Sequence, residues 1–437
     1  MSTLAVTWVL LSHLEFSFTT KPNIVIVTVD DLGWADVGFH GSRQIPVPNI
    51  DALAADGVIL NKYYAQPWPL SSRIGLLTGI YPYRTGVGRV MLPCQPVALP
   101  SVFRILPTFF KSLGYRTHFV GVWNLGFYKK RFTPVNRGFD TAYAKWTGPG
   151  DYWTHDMQTK MQGFDLRLND DLMWNQTGVY STRLFTERAD PTRKLCFFVL
   201  HQPLLLILSH QALHTANYHG SLQCPLEHLD SFGFIRDRKR RIFAGALTEV
   251  DQSLGQIFEA LHNRRLLNNT ILVFVSASGG MPVGDFTNNL SFNFPLRGTK
   301  GTCFEGGVRV PAFVWSPLLN KTRRTSSQLM HVTDWLPTLF SAAGGDIKKL
   351  GAVFDLDSVN MWEALSGDLQ SPRTEIIHNI DLAGHNFALQ EGNYKVIAVT
   401  KNLNAVLPRS GWHPNPRHTP GFPSWENVHG TVYKVQP

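Results

Sequence analysis

The run Asn23-Ile24-Val25-Ile26-Val27-Thr28-Val29 is almost wholly β-branched and ends on two acids, Asp30 and Asp31. A strand without polar alternation is buried on both faces, the habit of a central parallel strand in an α/β sheet. Working outward, residues 49–56 read as a short helix with Asn49 as its N-cap and Gly57 as its stop. Residues 106–113 read as another helix closed by Gly114, and residues 117–122 as a strand. A longer helix over residues 242–261 places Leu247, Val250, Leu254, Ile257, Phe258 and Leu261 on one stripe. It leads into Ile271-Leu272-Val273-Phe274-Val275, a second buried strand that ends at Ser276-Ala277-Ser278-Gly279-Gly280. Residues 310–315 read as a further strand, and residues 334–343 as a helix stopped by Gly344. Strands alternating with helices predict an α/β fold: a large central, mainly parallel sheet sandwiched by helices. Ligands of such sheets bind beyond the carboxyl ends of the strands. Asp30-Asp31 and Ala277-Ser278 are therefore expected to share one cleft.

At 437 residues the chain suits one large domain and a smaller one. After about residue 345 helical periodicity fades, Gly, Pro, Asn and His become frequent, and short strand-like runs such as residues 394–399 remain. The expected division is an α/β domain over residues 21–345 and a small, shortened C-terminal α+β domain over residues 346–437. Lys and Arg outnumber Asp and Glu by 41 to 32, for a net charge of +9. Such a surface attracts anions, and a solvated basic surface without a partner is the other reading.

Residues 1–20 contain an apolar stretch from Leu4 to Leu11 that suits the core of a signal peptide, although no Lys or Arg precedes it. A frayed N-terminus is the competing reading. The run over residues 196–208 is apolar but interrupted by His201 and Pro203, so no transmembrane segment is expected. Four sequons, at Asn175, Asn268, Asn289 and Asn320, agree with passage through the secretory route, secreted or lysosomal. Cys94, Cys196, Cys224 and Cys303 show no metal-ligand spacing, and four cysteines allow three pairings.

The segment from Pro22 to Gly38 resembles the opening strand and metal turn of the sulfatases. Residues 48–58 resemble the helix that follows, and Arg73-Ile-Gly-Leu-Leu-Thr-Gly-Ile-Tyr-Pro82 the helix behind their catalytic cysteine. Further matches are Gly121-Val-Trp-Asn-Leu-Gly126, Arg137-Gly-Phe-Asp140, Pro295-Leu-Arg-Gly-Thr-Lys300 and Glu305-Gly-Gly-Val-Arg309. Pro93-Cys-Gln-Pro96 and His378-Asn-Ile-Asp381 are similar to the arylsulfatase B-like group, which includes N-acetylgalactosamine-4-sulfatase. The resemblance runs in order from about residue 22 to 400, and it implies the alkaline phosphatase-like fold.

The catalytic positions depart from that pattern. Sulfatases bear Cys-x-Pro-Ser-Arg, whose cysteine becomes the formylglycine nucleophile. This chain reads Pro69-Leu70-Ser71-Ser72-Arg73, and proline carries no group to oxidise and no side-chain nucleophile. Formylglycine is therefore not expected. Val122 and Asn124 stand where the family has a sulfate-bridging lysine and a histidine that helps the hydrate collapse. Neither can neutralise an anion or move a proton near neutral pH. The resemblance implies a calcium ion held by Asp30, Asp31 and a later Asp-Asn pair, but that pair is Ala277-Ser278 here, which leaves a weak site or none. A solvated strand-end turn is the other reading of Asp30-Asp31. Lys300 and His219 fall where the family faces the substrate sulfate and the leaving oxygen, and Arg73 where it orients the turn. An ordinary surface base or core histidine is the alternative for each.

The expected function is a catalytically inactive sulfatase-family protein whose basic cleft binds a sulfated glycan or a small sulfate ester rather than nucleic acid. The alternatives are an active sulfate ester hydrolase with a non-standard nucleophile, and a structural partner of an active sulfatase. A cleft in which Lys300 and Arg73 converge would favour anion binding. One filled by Trp68, Val122 or other bulky groups would favour the structural role.

Overall fold

The computed structural model describes residues 21–399 except 89–90, 92, 94, 149, 159–161, 191–201, 217–221, 283–287, 352–354 and 382–385, together with a strand at 431–434. The leader reading, Cys94, Cys196 and His219 lie outside the described residues. Among the described residues no helix is long and apolar enough to cross a membrane.

Five parallel strands form the centre of a ten-stranded sheet. They are β1 (Asn23–Val29), β3 (Arg116–Val122), β4 (Thr141–Lys145), β7 (Leu204–Ser209) and β8 (Thr270–Ser276). The remaining strands are β2 (Val58–Leu60), β5 (Arg167–Leu168), β6 (Asp171–Leu172), β9 (Ala312–Trp315) and β10 (Arg324–Ser326). The order across the sheet is β10-β2-β9-β8-β1-β7-β3-β4-β5-β6. β1 lies between β7 and β8, and all seven of its residues are buried, as its unbroken apolar run requires. β9 departs from the parallel habit: it runs antiparallel to both β8 and β2.

One hydrophobic core lies on each face of the sheet. Helix α2 (Pro69–Thr78), buried along its whole length, packs in the first. Helix α3 (Leu106–Ser112) joins it there, and the second core is covered by α1 (Pro48–Asp56), α4 (Ser181–Ala189), α5 (Glu227–Ser231) and the long α6 (Arg238–Asn263). Asp237 caps α6 by accepting from the backbone of Lys239 and Arg240. The N-cap assigned to Asn49 is corrected: α1 starts with Pro48 at its first turn, and Asn49 donates instead to Asp251 of α6 at 2.8 Å.

After the α/β body a four-stranded antiparallel sheet forms from β11 (Glu375–Asp381), β12 (Asn386–Glu391), β13 (Tyr394–Val399) and β14 (Thr431–Lys434). Ile376 packs with Tyr64, Val308 and Leu329, and the buried Lys395 pairs with Glu305 at 2.5 Å, so this sheet rests on the body. Asn175, Asn268 and Asn320 are exposed. Asn289 is buried, and its amide donates to the backbone oxygens of Asp31 and Leu213, so its sequon cannot carry a glycan in this fold.

Candidate active site

Helix α2 delivers Arg73 to the carboxyl end of β1. Trp68 is its N-cap in extended backbone, and Pro69 takes the first helical position. Proline suits that place because the missing N–H has no intrahelical partner anyway, and its fixed φ starts the helix. Ser71 donates to the Gly88 backbone oxygen at 2.8 Å, and Ser72 Oγ accepts from the Gln66 backbone at 2.8 Å. Both hydroxyls are buried and engaged in holding the turn.

Beyond β1 four charged side chains meet. Arg73 Nη2 donates to the two carboxylate oxygens of Asp30 at 2.8 and 2.9 Å, and its Nε donates to Ser209 Oγ at 3.2 Å. Lys300 Nζ donates to Asp31 Oδ2 at 2.7 Å, and Ser278 Oγ donates to Asp31 Oδ1 at 2.9 Å. His214 Nε2 lies 3.9 Å from Asp31 Oδ2. Asp31 holds a left-handed backbone with φ 59, pinned by the Asn289 amide on its carbonyl. The solvated-turn reading of Asp30 and Asp31 is therefore overturned: they are 3% and 0% exposed. Residues 73 and 300 supply the countercharges that burial demands.

Electrostatics separates the two acids. Burial is the largest influence on both and pushes both upward. It prevails at Asp30, despite Arg73, and raises that carboxyl to about 6. At Asp31 the charge of Lys300 and the bonds from Lys300 and Ser278 outweigh burial and hold the group below the usual carboxylate range. His214 is depressed to about 4, first by burial and then by Lys300, so it stands neutral beside them.

Val122 and Asn124 lie at and just beyond the end of β3, whose Gly121 is paired with Ser209 of β7. Val122 is buried and level with Lys145 on β4. Gly121 precedes it with φ 112, and a side chain there would overlap the Ser209 carbonyl. Asn124 follows in left-handed backbone and lines a small cavity with Phe127, Tyr128 and Trp146. Lys145 was not anticipated. Fully buried, it donates to Gln211 at 2.9 Å, and burial lowers it to about 8. Its signal was the lysine ending the short run Thr141–Lys145. His214 was missed too, because His210, His214 and His219 share one stretch and spacing does not choose among them.

Calcium takes six to eight oxygen ligands. Here each of the four carboxylate oxygens of Asp30 and Asp31 already accepts a hydrogen bond from a cation or a hydroxyl. Ser278 turns its hydrogen toward Asp31, and Ala277 offers a buried methyl group. The donor set does not fit the ion.

Residues 22–345 match the family model described as Sulfatase. Arylsulfatase J of Mus musculus is 39% identical over 374 residues, covering 83% of this chain and 59% of that protein. N-acetylgalactosamine-6-sulfatase of Homo sapiens is 29% identical over 344 residues, covering 74% and 62%. Among solved structures, Ps i-CgsB in complex with k-i-k-neocarrahexaose superposes with a TM-score of 0.78 at 27% identity, covering 88% of this chain and 85% of that one. The chain spans about three-fifths of the length of these two curated relatives.

Proposed function

Since the chain belongs to the sulfatase family, we propose that it is a non-hydrolysing member whose former catalytic centre now serves the fold. The observation that carries this reading is Pro69 at the first position of α2, with Ser71 and Ser72 engaged elsewhere. A catalytic unit that loses one member commonly loses about 10⁴–10⁶-fold in rate, and further losses within it do not restore activity. Here the nucleophile position, the bridging-lysine position Val122 and the acid–base position Asn124 are altered together.

The geometry also weighs on what the centre binds. Sulfated sugars enter through the relatives, one of which is named as an N-acetylgalactosamine-6-sulfatase and another solved with a carrahexaose. Lys300 and Arg73 would be the cations for a sulfate here, but both are buried and bound to Asp31 and Asp30. An incoming anion would have to displace a carboxylate from each. The structural reading, a secreted or lysosomal scaffold acting beside an active sulfatase, is therefore favoured over a glycan held in the old pocket.

The test is an assay of the purified chain on a chromogenic aryl sulfate beside an active arylsulfatase. The expected result is no release above the uncatalysed rate. Release that follows the protein through purification and disappears in Arg73→Ala would refute the proposal.

A further inference from the structure

We propose that Lys300 and Arg73 together replace a divalent cation, so that the strand-end turn of this protein is held without metal. Two neighbouring carboxylates, both buried, require nearby positive charge, because isolated ionised groups do not persist in a low-dielectric interior. The structure supplies that charge from within. Arg73 spans both oxygens of Asp30, Lys300 sits 2.7 Å from Asp31, and two cations balance two anions. The surroundings complete the arrangement with neutral groups. Ser209 receives Arg73 Nε and also a bond from Thr28, Ser276 bonds the Leu32 and Ser278 backbone, and Asn289 holds the Asp31 carbonyl. Ala277 and Ser278 remove the oxygens that a metal would need and put a methyl group and a donating hydroxyl there.

Metal dependence and loss of hydrolysis are read by separate measurements, so either can fail without the other. The full chain, purified without calcium, is melted in excess chelator and in millimolar calcium. Its Tm is expected to move by less than about 1 °C, whereas a site filled at 100 times its Kd would raise Tm by about 3 °C in a chain of this size. Equilibrium dialysis with calcium provides the second measurement. Calcium held by the wild type at one ion per chain and lost in Asp31→Asn would overturn the proposal. Calcium retained equally by Asp31→Asn lies elsewhere on the surface and leaves it intact.

Discussion

Pro69→Cys combined with Ser71→Pro, which recreates the cysteine motif, is expected to yield no measurable aryl sulfate turnover even after conversion to formylglycine. The change should not disturb folding. Position 69 is the first of α2 and position 71 lies within its first turn, where proline is tolerated. Ser71 gives up one hydrogen bond to Gly88, a cost of about 1 kcal/mol. Val122 would still stand in place of a cation and Asn124 in place of an acid–base group. The carboxylates of Asp30 and Asp31 would remain tied to Arg73 and Lys300. Conversion is verified by peptide mass and folding by circular dichroism. Turnover at even a hundredth of an active arylsulfatase would show that the loss lay at position 69 alone.

Lys300→Met is expected to be the most destabilising single change at the centre. It leaves Asp31, which is fully enclosed, without the ammonium that neutralises it. Removing one partner of a buried ion pair costs about 3–5 kcal/mol, whereas replacing both by neutral groups is often close to neutral. Asp31→Asn with Lys300→Met should accordingly recover most of the loss. Asparagine also tolerates the left-handed backbone at this position, so the double change adds no strain. Urea unfolding of the wild type, both single variants and the double variant measures the coupling. Additive effects would mean that Lys300 and Asp31 do not depend on each other.

What the sequence made legible follows from local physics. The unbroken apolar run of β1, the stripe on α6 and the Gly stops needed no distant partner, and each element stands within a few residues of its expected place. Asn49 misled because its partner, Asp251, is 202 residues away, and an N-cap is only one use of a short amide. The antiparallel entry of β9 was hidden because a short buried strand reads the same in either direction. The acids at 30 and 31 were placed at a strand end, but their burial depends on cations 43 and 269 residues along the chain. Asn289 shows the same limit. A sequon reports three residues, while the fold turns its amide inward onto Asp31.

The most direct test of a centre closed by its own ion pairs is a crystal structure grown in calcium. The expected structure has Lys300 Nζ within hydrogen-bonding distance of Asp31, Arg73 astride Asp30, and no ion between the acids. A calcium ion coordinated by both carboxylates, with Lys300 swung away, would contradict it.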